Sequence, residues 1–344
     1  MRNQSIEKLA PYLASPKKIV IIPHKNPDGD AMGSTLGLYL YLNQMGHQCT
    51  VIAPNAYPDF LKWLPAQESV KHFDADPLSC QKILEEAQLI FTLDFNAFSR
   101  AGQMKDSLAA IKAEGKTKFA MIDHHEEPDD YADFMLSVPM AASTCELVYH
   151  VIALFKHLDK ITPEIATCLY TGIMTDTGSF KFSSTSSNTH RVVAHLLDKG
   201  AEPDKIHQNI YEAKTADQLR LLGIALHNLR VIKAKQTAYI TLSQSELDQC
   251  NYKKGDTEGI VNYGLSLRDI VFAVIFIEHE AEGIIKISLR SKGDVDVNKI
   301  ARTYFNGGGH KNAAGGRSLK SLSETVQYFE SLVQQNITLG VNAS

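Results

Sequence analysis

Residues 18–34, Lys-Ile-Val-Ile-Ile-Pro-His-Lys-Asn-Pro-Asp-Gly-Asp-Ala-Met-Gly-Ser, constrain the fold more than any other stretch. Ile19, Val20, Ile21 and Ile22 make a short apolar run of the kind found in strands buried on both faces. Pro23-His24 ends the run, and Asn26-Pro27-Asp28-Gly29-Asp30 is turn chemistry. Ser34 and the apolar residues Leu36, Leu38, Tyr39, Leu40 and Leu42 predict a helix starting near Gly33. His24, Asp28 and Asp30 are thereby placed on a loop at the carboxyl end of a parallel strand, where open α/β sheets bind ligands. An imidazole and two carboxylates within seven residues would repel and stay solvated unless a cation joins them. Hard oxygen ligands with one histidine suit Mn²⁺ or Mg²⁺ better than a thiolate-seeking metal. An Asx-rich turn capping a helix would produce the same local pattern, so the rest of the chain must decide.

The strand-then-acid pattern recurs. Leu89-Ile-Phe-Thr-Leu-Asp94 ends on a carboxylate, and Lys118-Phe-Ala-Met-Ile-Asp123 runs into His124 and His125. With helices between them, such strands predict an α/β, doubly wound and mainly parallel sheet. Ser143-Thr144 precedes a capped amphipathic helix, and Thr162-Pro163-Glu164 starts another that reaches Asp176. Helical patterns continue to about Leu229, after which the texture becomes strand-rich. This predicts a catalytic domain over residues 1–190, a helical connector over 191–230 and a smaller α+β domain over 231–344, with the active site in the cleft between the domains. Within the last domain, 237–242, 270–278 and 283–289 read as strands, 257–267 as a helix, and 307–316, half glycine, as a loop.

With 44% hydrophobic and 22% charged residues, the composition is that of an ordinary globular chain. No apolar run approaches the roughly 20 residues of a membrane helix, and the N-terminus lacks a signal-peptide core. The five cysteines are scattered and odd in number, which predicts small buried hydrophobes in a reducing, cytoplasmic setting. A net charge of −4 argues against a grip on long duplex nucleic acid. Between Lys286 and Arg317, however, seven Lys or Arg face two Asp, which is either a solvated face or a polyanion pocket.

His24, Asp28, Asp30, Asp94, His124 and Asp176, with His125 beside them, bring four carboxylates and two imidazoles to one sheet edge. That set suffices for two divalent metals sharing one carboxylate, as in phosphoryl-transfer sites. In this order the segments resemble the four motifs of the DHH phosphoesterase superfamily. Gly307-Gly308-Gly309-His310 resembles the glycine-histidine motif of the DHH-associated C-terminal domain. The resemblance spans most of residues 18–317 and is strongest to NrnA-type enzymes, which are both oligoribonucleases and 3′-phosphoadenosine-5′-phosphate phosphatases.

The resemblance implies one Mn²⁺ on His24, Asp28 and Asp94, and a second on Asp30, Asp94, His124 and Asp176, with Mg²⁺ or Co²⁺ as substitutes. It implies that metal-activated hydroxide releases nucleoside 5′-monophosphates from short RNA oligonucleotides, and AMP and phosphate from the bisphosphate. His125 would face the scissile phosphate and Asp123 would orient it. Arg290, His310 and Gly307 to Gly309, with Arg268 at the margin, would hold the terminal nucleotide. A homodimer is an expectation by analogy only. The rival readings are a linear or cyclic dinucleotide phosphodiesterase, an inorganic pyrophosphatase, whose Arg-Lys-Lys stretch is missing here, and a non-catalytic nucleotide-binding module.

Overall fold

In the computed structural model, which describes residues 6–212 and 214–335, the chain divides into two units, Met1–Ala213 and Lys214–Ser344. A four-residue helix α1 (Leu9–Tyr12) leads into the first sheet. Its strands are β1 (Lys18–Pro23), β2 (Gln48–Ala53), β3 (Lys71–His72), β4 (Leu89–Leu93), β5 (Lys118–Asp123) and β6 (Phe134–Ser137). They lie in the order β3-β2-β1-β4-β5-β6, and every pairing is parallel. The chain works outward from β1 to β3, then returns to lay β4 against the other side of β1. That reversal opens a crevice beyond the carboxyl ends of β1 and β4. The expected doubly wound sheet is thus present.

Helices cover both faces, so the central strands carry unbroken apolar runs. One face packs Ile19, Ile21, Leu89, Phe91 and Leu93 against α2 (Gly29–Gln44), α5 (Thr144–Leu154) and α6 (Pro163–Asp176). The other packs Val20, Ile22, Ile90, Phe119 and Met121 against α3 (Pro77–Glu86) and α4 (Lys105–Glu114). α2 begins at Gly29, not near Gly33, because the Asp28 carboxylate caps it, accepting from Asp30 N and Ala31 N at 3.1 and 3.0 Å. Asp30 therefore sits in the first helical turn. Gly29, Gly33 and Gly37 form a stripe along α2 that faces α6 closely: a Cβ on residue 33 would stand 2.5 Å from the Cys168 carbonyl oxygen. Only glycine lets the two backbones approach so far, and this contact brings Asp30 beside the end of α6.

α7 (Ser187–Asp198) and α8 (Pro203–Tyr211) belong to the first unit, whereas α9 (Ala216–His227) belongs to the second. The second sheet comprises β7 (Arg230–Ile232), β8 (Thr237–Leu242), β9 (Phe272–His279), β10 (Ile284–Ser291), β11 (Gly308–His310) and β12 (Ala313–Ser318), in the order β11-β12-β10-β9-β8-β7. Only β8 and β9 pair in parallel. α10 (Gln244–Gln249) and α11 (Val261–Ser266) pack with α9 on one face, α12 (Val297–Tyr304) and α13 (Leu322–Gln334) on the other. α11 is shorter than expected because Gly259, inside the expected span, takes a φ of +77°, outside the helical range. The expected glycine loop is a correction too: residues 308–318 form the hairpin of β11 and β12. All five cysteines are unpaired, and no helix of the described residues is long and apolar enough to cross a membrane.

Candidate metal centre

β1 delivers His24 and β4 delivers Asp94 to the two sides of the crevice, while β5 delivers Asp123, His124 and His125. α2 adds Asp28 and Asp30 from its amino end, and α6 adds Asp176 from its carboxyl end. Asp94 takes a left-handed φ of +62°, sparsely populated for a residue with a side chain. This turn at the strand end sends its carboxylate back over the crevice. His24 Nδ1 lies 2.8 Å from the Lys25 carbonyl and His124 Nδ1 3.2 Å from that of Ala141. A carbonyl only accepts, so each Nδ1 is the donor and each Nε2 presents its lone pair to the crevice.

The two Asp94 oxygens aim at different groups. Oδ2 lies 3.4 Å from His24 Nε2, which is 3.8 Å from Asp28 Oδ2. Oδ1 lies 3.4 Å from His124 Nε2, which is also 3.5 Å from Asp176 Oδ2 and 3.8 Å from Asp30 Oδ2. Donors about 2.0–2.2 Å from a shared ion stand about 3.0–3.5 Å apart at right-angled to tetrahedral angles. These separations are long for direct hydrogen bonds and suited to coordination. His24, Asp28 and Asp94 form one such group, and Asp30, Asp94 and His124 a second.

The electrostatics agree. Burial opposes charge on every one of these groups. At Asp30 burial, reinforced by Asp94 and Asp176, drives the carboxyl well above the usual range. At Asp176 burial outweighs His124 and lifts the pKa to about 7. At Asp94 burial loses to the contacts with His124 and His24, which hold it well below. Burial would likewise lower His24, but Asp28 and Asp94 raise it to about 10, and His124 rises for the same reason through Asp176 and Asp94. With protein groups alone the cluster takes up protons. Divalent cations in their place would satisfy the carboxylates and imidazoles together.

Asp123 is fully buried and accepts twice from His125, from Nδ1 at 2.7 Å and from the backbone N–H at 2.8 Å. The ring is thereby fixed in orientation, with its Nδ1 3.7 Å from Asp94 Oδ1.

In the second unit, Arg290 on β10 and His310 on β11 both stand opposite Ala313 of β12. One small side chain thus separates the two strands that carry them. Arg268 is exposed, just beyond α11. The glycines serve packing more than anion contact. Gly307 N–H donates to the Ala301 carbonyl and Gly309 N–H to Asn298 Oδ1, and a Cβ on Gly309 would meet the Ala313 carbonyl oxygen at 2.5 Å.

Comparison with known proteins follows this division. Residues 18–173 match the DHH family, N-terminal domain, and residues 236–337 match the DHHA1 domain. A bifunctional oligoribonuclease and PAP phosphatase NrnA of Thermus thermophilus is 32% identical over 305 residues, covering 88% of this chain and 85% of that protein. The chain belongs to the DHH family. The corresponding NrnA of Bacillus subtilis is 26% identical, with 92% of each chain covered. The crystal structure of an exopolyphosphatase-related protein from Bacteroides fragilis superposes with a TM-score of 0.92 at 39% identity, covering 97% of this chain and 96% of that one.

One part of this DHH-family site was hidden in the sequence. At the amino end of α5, Thr144 N–H and Cys145 N–H donate to Asp30 Oδ2 and Oδ1 at 2.6 and 2.9 Å, and the Thr144 hydroxyl donates to Asp94 Oδ1 at 3.0 Å. Ser143 caps the same helix, accepting from Glu146 N. Ser143-Thr144 reads in sequence as a helix start. Nothing local indicates that the same turn grips carboxylates 50 and 114 residues away.

Proposed function

We propose that this chain is a metal-dependent phosphoesterase. It hydrolyses short oligoribonucleotides to nucleoside 5′-monophosphates, and 3′-phosphoadenosine-5′-phosphate to AMP and phosphate. The observation that carries the reading is the divided aim of Asp94, one oxygen toward the His24 group and one toward the His124 group. His24, Asp28 and Asp94 would hold one Mn²⁺, and Asp30, Asp94, His124 and Asp176 a second, with Mg²⁺ or Co²⁺ as substitutes. Bound there, the metals would supply Lewis-acid polarisation of the phosphoryl group and acidify water.

The chain's own groups do the rest. Asp123 accepts from His125 Nδ1 and from its backbone N–H, which leaves Nε2 for the phosphate; carrying a proton as well, it would donate to a phosphate oxygen or to the leaving oxygen. The N–H groups at the amino end of α2 keep the Asp28 carboxylate from turning away, and the amino end of α5 does the same for Asp30 and Asp94. Arg290 and His310 hold the terminal nucleotide; the hairpin glycines, Gly307 to Gly309, set the strand that carries His310, and Arg268 is a peripheral contact. The relatives named as bifunctional oligoribonucleases and PAP phosphatases support this substrate class.

The test is turnover of the Mn²⁺-loaded protein on 5′-phosphorylated di- to pentanucleotides, 3′-phosphoadenosine-5′-phosphate, cyclic dinucleotides, pyrophosphate and polyphosphate. Mononucleotide release together with dephosphorylation of the bisphosphate is expected, and Asp94→Ala or His124→Ala should abolish both with the fold intact. Turnover confined to pyrophosphate or polyphosphate would refute the substrate assignment.

A further inference from the structure

The pairing of β10 with β12 sets Lys286 opposite Arg317, Ser288 opposite Gly315 and Arg290 opposite Ala313. Directly opposed residues project from the same face of a sheet, and alternate residues return to it. All six therefore share one face. The other face carries Ile285, Ile287, Leu289 and Ala314, buried against α12 and α13. On the shared face Lys286 and Arg317 are exposed, and the floor between them and Arg290 is the Ser288 hydroxyl and bare Gly315, where a Cβ would meet nothing nearer than 3.6 Å.

Two cations directly opposed across a ladder repel, and this position would ordinarily take a carboxylate. Neither Lys286 nor Arg317 forms an ion pair among the described residues. β11 pairs no further than Gly315, and beyond it the chain still lines this edge, with Arg317 N–H donating to the Phe305 carbonyl at 2.7 Å. The edge is therefore satisfied there and needs no charge to guard it against strand pairing. The pair, the polar floor and Arg290 instead make a basic track along one strand.

We propose that Lys286 and Arg317 form a second phosphate-binding position, for the backbone of an oligonucleotide whose terminal nucleotide lies at Arg290. The inference rests on the substrate reading above. Lys286 and Arg290 are four steps apart along the strand, about 14 Å at a rise of about 3.4 Å. That is further than the two phosphates of one nucleoside bisphosphate reach, so the position serves oligonucleotides and not 3′-phosphoadenosine-5′-phosphate. It sets the balance between the two activities.

The experiment compares wild type, Lys286→Ala, Arg317→Ala and Arg317→Glu on a 5′-phosphorylated tetranucleotide and on 3′-phosphoadenosine-5′-phosphate, with thermal melts of each protein. Each substitution should raise KM for the tetranucleotide about tenfold with kcat unchanged, and leave both constants for the bisphosphate unchanged. The slope of log KM against log salt for the tetranucleotide should flatten by about 0.7 for each phosphate that the variant no longer neutralises. Arg317→Glu places a carboxylate opposite Lys286, so it should melt no lower than wild type while binding the tetranucleotide worst. A purely structural pair would show the reverse, with melting and both substrates moving together. Unchanged tetranucleotide kinetics, or equal losses on both substrates, would overturn the inference. If wild type turns over neither substrate, the substrate reading itself fails and this inference with it.

Discussion

Gly33→Ala tests whether the metal centre depends on how closely α2 and α6 approach. The new Cβ would stand 2.5 Å from the Cys168 carbonyl oxygen, 3.0 Å from Cys145 Sγ and 3.1 Å from Gly172 N. Two of these atoms are α6 backbone and cannot rotate aside. Restoring a contact of about 3.5 Å requires the helices to part by about 1 Å. Overpacking of this kind costs about 1–3 kcal/mol, against roughly 1 kcal/mol recovered by replacing glycine with alanine inside a helix. Because the obstacle is backbone, the cost falls at the upper end, and the net loss should be about 1–2 kcal/mol. For a unit of this size that lowers Tm by about 2–8 °C. The centre should suffer more. Asp30 on α2 and Asp176 on α6 both face His124 Nε2, at 3.8 and 3.5 Å. A shift of about 1 Å far exceeds the ~0.2 Å tolerance of a metal site, so Mn²⁺ affinity measured by titration calorimetry should fall at least about tenfold. Gly223→Ala is the control: its Cβ would meet nothing within 4 Å, so about 0.5–1 kcal/mol of stabilisation with unchanged Mn²⁺ binding is expected. A Gly33→Ala protein that melts like wild type and binds Mn²⁺ as tightly would show the reasoning to be wrong.

Three further outcomes are expected from the contacts of the first unit. Thr144→Val removes the hydroxyl donated to Asp94 Oδ1 at nearly constant volume, and should weaken Mn²⁺ binding about 10–100-fold while Thr144→Ser does not; equal losses for both variants would point to packing. Mn²⁺ at a hundred times its Kd should stabilise the protein by about 2.7 kcal/mol, reversed by a chelator; an unmoved Tm would count against a metal centre. Buried Glu146 would be raised by burial, but His150, Thr189 and Asn188 hold its carboxyl below the usual range. A depressed carboxyl contributes stability that is present above the ordinary glutamate pKa of about 4.3 and lost as pH falls through the lower folded value. Glu146→Gln should therefore melt about 1–2 kcal/mol less stably at pH 7 and converge with wild type in acid; parallel curves down to low pH would exclude the linkage.

What local sequence could reveal was the chemistry carried within single segments. The apolar runs before His24, Asp94 and Asp123 identify buried parallel strands, and a parallel sheet places its strand ends together at the switch between β1 and β4. That geometry alone brings His24, Asp94 and His124 to one crevice. The reading weakened wherever structure depends on a distant partner. Phe134–Ser137 became β6 only because β5 offers it a ladder, and the glycine-rich stretch at 307–316 became a hairpin because β10 stands ready to pair β12.

The spacing of Gly29, Gly33 and Gly37 is visible in the sequence, but the α6 backbone it admits lies more than 130 residues away. Thr144 likewise reads as a helix start, and only the tertiary structure turns its hydroxyl toward Asp94 and its N–H toward Asp30. Ligand types follow from residue identity and strand ends. The angstrom-scale separations that fit them to metals are set by close packing between α2, α5 and α6, and packing of that kind belongs to facing surfaces, not to any one stretch of chain.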